Sequence, residues 1–354
     1  MSAKQQINLF SFTMIVVGLV IGMGIFRSAA TSASYAITPA VYFTAWILGG
    51  LIALCGALTY AEIGSRYPVT GYKLFSYAYH PSIAFAINCI ILISNAASLS
   101  GVALIGSGYI TKLFPGIAWT DIDKALISCP AIIIFYFINL RGLTISSRAQ
   151  NILMIIKIGM IGVLILALLF PHQGTPITTA PVAPVETGSD WMLWIKSLGV
   201  LAYVNALLMS NPRVMYAMSE EGVLPGIFAK KSDRHEVLVA SLTVFAGICI
   251  IILFFAQTFE KILNFTMFLD CFGMVASSAT IFILRKRTAH LDGTGIFKMK
   301  LFPWVPLIFM VAYCFVGVSI FMQTPGTALI GLGVLAAFIG IYFITRIKST
   351  TTEK

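Results

Sequence analysis

Apolar stretches long enough to cross a bilayer recur along this chain, and they restrict its fold more than any other feature. The first covers residues 7–26 and carries no charge. Others cover 38–61, 82–111, 125–140, 149–170, 191 to about 216, 237–259, 262–284, 301 to about 322, and 326–345. A helix needs about 20 mainly apolar residues to traverse the hydrocarbon core, so the pattern predicts about ten transmembrane helices. The stretch 82–111 is longer than a bilayer requires and is expected to tilt or project. With 58% hydrophobic and 10% charged residues, a soluble globular chain is excluded. The expected architecture is an all-α polytopic membrane protein, with residues 1–354 forming a single transmembrane domain and the first span uncleaved.

The formal charge of +10 raises the question of nucleic acid. Its distribution answers otherwise, because the basic residues lie in short connections with no aromatic interleaving. With the N-terminus inside, about 17 Lys and Arg fall on the cytoplasmic side and 5 on the other, with Lys157 inside a span. That bias orients both termini toward the cytoplasm. Trp119, Trp191 and Trp194 then fall at the outer interface, where indole rings are enriched. The expected surroundings are the lipid bilayer of the cell (cytoplasmic or inner) membrane, with no nucleic-acid partner.

Within the first span, Gly22 and Gly24 sit halfway or more across. Glycine lowers the cost of leaving helical geometry, yet an unwound backbone at membrane depth must have its polar groups satisfied by protein or water. Ile21, Gly22, Met23, Gly24 and Ile25 therefore suggest a place where backbone amides meet a ligand; close helix packing through small residues is the alternative. Lys157 lies nine positions past Arg148, roughly 13 Å into the bilayer at 1.5 Å per residue. Its stem is too short to snorkel that far, so the ammonium faces protein or a cavity. It serves either as a group that gains and loses a proton or as a fixed cation on helix-end carbonyls. Asp270 is the other charge in mid-span. Glu62 and Arg66 form an i,i+4 pair at the membrane edge, and Asn88, Asn95, Asn205 and Asn211 read as interhelical hydrogen-bonding residues. The six cysteines lie in apolar runs with no C-x-x-C pair, so no metal site or disulfide is expected. No nucleophile–base pair or phosphate loop stands out; neither an enzyme nor a cofactor is expected.

Three motifs resemble the amino acid–polyamine–organocation superfamily, and within it bacterial permeases related to L-amino-acid exchangers. They are Gly22-Met23-Gly24-Ile25-Phe26; Glu62-Ile63-Gly64-Ser65-Arg66-Tyr67-Pro68-Val69-Thr70-Gly71-Tyr72; and Asn211-Pro212-Arg213 continuing to Gly222-Val223-Leu224-Pro225. The resemblance implies a leucine-transporter-like fold of two inverted five-helix repeats. It implies secondary transport of small neutral amino acids by alternating access, as an antiporter or a proton-coupled symporter. The substrate carboxylate would be bound by backbone N–H groups of Ile21 to Ile25, in keeping with broken helices that point dipole ends at charged ligands. Lys157 matches a fifth-helix lysine that replaces a sodium ion in sodium-independent members and links the first and eighth helices. The family has twelve spans against about ten here. Between Lys196-Ser197-Leu198-Gly199 and Leu201-Ala202-Tyr203-Val204-Asn205 the chain jumps from the start of the sixth helix to the middle of the eighth. A non-transporting shortened relative, or a subunit of a membrane complex, is the alternative.

Overall fold

The computed structural model describes residues 9–21, 29, 32–33, 35–69, 71–114, 116–167, 190–232, 236–255, 259–289 and 295–352. Their regular structure is helical throughout: α1 (Leu9–Val20), α2 (Pro39–Arg66), α3 (Gly71–Ala78), α4 (Pro81–Lys112), α5 (Asp121–Leu140), α6 (Leu143–Ala167), α7 (Asp190–Glu220), α8 (Val239–Phe255), α9 (Phe259–Arg287), α10 (Trp304–Gln323) and α11 (Pro325–Thr352). The chain is an all-α polytopic membrane protein. Among the described residues, five helical segments are by themselves long and apolar enough to cross a bilayer, in α2, α4, α9, α10 and α11; α1 and α8 are shorter apolar helices.

Helix starts follow local rules. Pro39, Pro81 and Pro325 each occupy a first helical position, where the missing N–H would have had no intrahelical partner. The Thr38 hydroxyl caps α2 by accepting from the Val41 N–H at 3.3 Å. At α5, Thr120 and Asp123 form a reciprocal capping box, so the helix begins before the apolar run that predicts it.

One segment departs from the sequence expectation. Residues 67–73 read as a polar turn, but Gly71–Ala78 is helical. Pro68 and Gly71 signal a turn locally, whereas burial of Tyr72, Leu74 and Phe75 organises the residues that follow. Just beyond it, the Tyr79 hydroxyl donates to the Ala276 carbonyl at 2.6 Å, and burial pushes this phenol up to about 12.

The chain divides into two compact units. One comprises Met1–Phe43, Leu99–Ser210 and Lys231–Phe259; the other comprises Thr44–Ser98, Asn211–Lys230 and Glu260–Lys354. In the first, α1 packs along α6, and α5 packs along both α6 and α8. In the second, α10 packs along α11. Inside a membrane, close van der Waals packing takes over much of the role that hydrophobic burial plays in water, and small residues permit it. At Gly56 on α2, a Cβ would stand 2.3 Å from Cε2 of the Phe309 ring on α10. Ile63, Leu74, Ile281, Leu284, Met299 and Val305 form a buried cluster in this unit.

Next to that cluster lies a denser charge arrangement than an edge pair. Glu62 is fully buried and accepts from Arg66 Nε at 2.7 Å, Arg285 Nε at 2.8 Å, Arg285 Nη2 at 2.7 Å and the Met299 N–H at 2.9 Å. Arg66 also donates to the Thr288 hydroxyl at 3.0 Å, and the Arg285 guanidinium sits 3.7 Å from the centre of the Phe302 ring. One carboxylate thus joins the ends of α2 and α9 to the segment preceding α10.

Candidate functional site

The first unit holds the predicted site residues that are described. The helical ladder of α1 closes with the Ile21 N–H donating to the Val17 carbonyl at 2.8 Å, and Ile21 itself is a bend. The Ile21 carbonyl accepts from Lys157 Nζ, at 2.7 Å. The Lys157 side chain is fully buried, as its depth in the span predicts. When it carries its proton, a lysine ammonium on a backbone carbonyl makes a charge-assisted hydrogen bond and satisfies that acceptor from within the protein. Of the sequence-predicted residues, Ile21 and Lys157 are therefore brought together. Gly22, Met23, Gly24 and Ile25 lie outside the described residues.

Two further contacts fix α1 on α6. Ser11 Oγ accepts from Asn151 Nδ2 at 2.8 Å. At Gly18, a Cβ would meet Gln150 Nε2 at 2.5 Å and Met154 Sδ at 3.0 Å. The hydrogen bonds 11–151 and 21–157 progress the same way along both helices, so α1 and α6 run parallel. An alternating map of spans requires that of the first and the fifth.

Gln150 links this crossing to a polar network that sequence reading reduced to isolated asparagines. Asn205 on α7 accepts from Asn139 Nδ2 at 3.0 Å and donates to the Ser146 carbonyl at 3.1 Å and to Gln150 Oε1 at 2.9 Å. Ser146 Oγ donates to Asn139 Oδ1 at 2.7 Å. Asn139, Ser146, Gln150 and Asn205 are all buried, and Gln150 Nε2 has no partner among the described residues. The network ties α5, α6 and α7 together directly behind the Gly18 crossing. The residue types were visible in sequence, but the separation of 66 residues between Asn139 and Asn205 was not bridged by any local pattern.

In the second unit, Asn95 on α4 donates to Asn211 on α7 at 2.8 Å, as expected of interhelical asparagines. Asp270, for which the sequence named no definite partner, accepts from the Ser94 hydroxyl.

The described residues define the class as an all-α polytopic membrane protein with a buried lysine on the carbonyl that follows its first described helix. Sequence comparison specifies the class. A family profile described as "Amino acid permease" matches residues 7–203 and, separately, 188–345. The chain belongs to this amino acid permease family. It is 25% identical to the methylthioribose transporter of Bacillus subtilis (strain 168), over 87% of this chain and 86% of the relative. It is 23% identical to the serine/threonine exchanger SteT of the same organism, over 96% and 97%, and 21% identical to the human (Homo sapiens) Asc-type amino acid transporter 1, over 98% and 84%.

The alignments are longer than the chain. That with the serine/threonine exchanger extends over 434 positions, whereas 96% of 354 residues is about 340, so about 94 positions face no residue of this chain. The two profile matches both claim residues 188–203, which include the first part of α7. The passage from Lys196-Ser197-Leu198-Gly199 to Leu201 lies within the residues that both matches claim.

Proposed function

We propose that this chain is a secondary active transporter of small neutral amino acids, working by alternating access across the cytoplasmic membrane with both termini inside. The observation that carries the reading is the Lys157 ammonium on the Ile21 carbonyl at the end of α1, in a member of the amino acid permease family. In this reading the hydrogen bond holds the backbone at the end of α1. The stretch Ile21 to Ile25 is then the substrate site: the Ile21 N–H is taken by the Val17 carbonyl, and the backbone N–H groups after it bind the substrate carboxylate. A relative named for serine/threonine exchange supports small neutral substrates and exchange, and one named an Asc-type amino acid transporter supports amino-acid transport. Proton symport is the other mode, with Lys157 as its coupling residue. Residues 1–354 act in this reading as one transport domain in the bilayer.

The test is counterflow in vesicles containing the purified chain, with radiolabelled serine, threonine and alanine in turn. Saturable, competable uptake is expected. Absence of saturable uptake of any amino acid by folded, monodisperse protein would remove the reading. It would favour the second one, a non-transporting relative or a subunit of a membrane complex. The observation behind that alternative is the total of about 94 alignment positions with no residue here.

A further inference from the structure

Asp270 lies in mid-course along α9, and no Lys or Arg pairs with it among the described residues. Ionisable residues within spans are costly there and mark proton or ion pathways more often than they serve stability. The groups close enough to interact with it electrostatically are neutral at ordinary pH: the Tyr60 phenol on α2, the Tyr313 phenol on α10, and the neighbouring Cys271 thiol. Tyr60 places its own hydroxyl on Met274 Sδ at 3.2 Å. No cation among these groups would hold the carboxylate in its ionised form.

The Ser94 hydroxyl on α4 is what makes the site able to change state. It donates to Asp270 Oδ1, and its oxygen also lies 3.4 Å from the Thr266 carbonyl, one turn before Asp270 on α9. One hydroxyl hydrogen thus has two acceptors. Ser94 is buried, and both acceptors within its reach belong to the protein.

We propose that Asp270, Ser94 and the Thr266 carbonyl form a proton-binding site, distinct from Lys157, that couples transport to the proton gradient; the coupling part rests on the proton-symport mode of the transporter reading above. On loading, a proton from water adds to a carboxylate oxygen of Asp270 and gives the neutral acid. The new O–H donates to Ser94 Oγ, and the Ser94 hydrogen turns from Asp270 to the Thr266 carbonyl. Release reverses both movements, and no electrons are transferred. Each state leaves the serine hydroxyl with an acceptor, so the site holds or loses a proton without stranding a buried polar group.

Two readouts test this. Infrared difference spectra of the reconstituted protein on a pH step are expected to show a protonated-carboxyl C=O band that disappears in Asp270→Asn. In vesicles, the same variant is expected to lose accumulation driven by a pH gradient and to retain amino-acid counterflow. A wild-type band unchanged in Asp270→Asn overturns the site, as does accumulation driven by sodium and indifferent to the pH gradient. If Asp270→Asn does not fold, Ser94→Ala preserves the carboxyl and is expected to shift the frequency of its band; an unshifted band overturns the site. A band lost in Asp270→Asn, in protein that shows no counterflow of any amino acid, supports the proton site and removes the transporter reading alone.

Discussion

Replacing Glu62 by Gln isolates the buried charge node, because it keeps the side-chain shape and removes the charge. Glu62 is fully buried and meets two guanidinium groups and one backbone N–H, at 2.7–2.9 Å. Removing one partner of a buried ion pair costs about 3–5 kcal/mol, and stranding a buried N–H costs about 1–3 kcal/mol. These contributions share partners and do not add. The Arg66 and Arg285 side chains are 7% and 25% exposed, so water recovers part of the loss at Arg285. A net destabilisation of about 4 kcal/mol is expected, at the middle of the range for a buried pair. At about 2 °C per kcal/mol, suited to a chain of this size, the detergent-solubilised variant should melt about 8 °C below the wild type. Arg285→Gln alone and the double variant complete the cycle, and the double variant should be less destabilised than the sum of the singles. A melting point within about 1 °C of wild type, or strictly additive singles, would refute the description of Glu62 as a shared acceptor.

Other outcomes follow from the packing and the caps. Lys157→Ala is expected to abolish counterflow while the protein still inserts and purifies, since it leaves the Ile21 carbonyl without its donor; near-normal uptake would remove the role given to this lysine. Gly56→Ala forces a methyl to within 2.3 Å of the Phe309 ring, and a loss of about 1–3 kcal/mol should appear in thermal melts. At the start of α5, hydrogen bonds from the Thr120 hydroxyl and backbone hold the Asp123 carboxyl below the usual aspartate range. Its folded value is depressed, so the cap's contribution is present above the unfolded value and fades as pH falls through the folded one. Amide exchange at residues 121–124, corrected for intrinsic rate, should therefore quicken in acid in the wild type and show no such transition in Asp123→Asn.

Helices were legible in the sequence wherever an apolar run met a clear boundary residue. Pro39, Pro81 and Pro325 mark such boundaries, and Arg66, Lys112 and Arg287 end spans near where charge returns. Gly22 and Gly24, on which the sequence placed a break, lie outside the described residues, and α1 as described ends at Val20. The Lys157 environment was legible from depth alone. Relations set by tertiary contact were not. The helix Gly71–Ala78 contradicts its own turn residues because Tyr72 and Phe75 are buried. Glu62 pairs locally with Arg66, yet its second arginine is 223 residues away. Ser94 and Asp270 are 176 residues apart, and nothing in either span singles out the other.

The bond between Lys157 and Ile21 also has a consequence for how the chain is made. The two residues are 136 positions apart, with the acceptor first. At about 5–20 residues per second, α1 leaves the ribosome roughly 7–27 s before the lysine does. When α6 enters the bilayer, the carbonyl that receives its ammonium is therefore already in place. A lysine at the centre of an isolated span costs about 2.5–3.5 kcal/mol to insert, and prior arrival of its acceptor offsets part of that cost. A permuted gene that delivered α6 before α1 would present the same span to the translocon with its charge unmet.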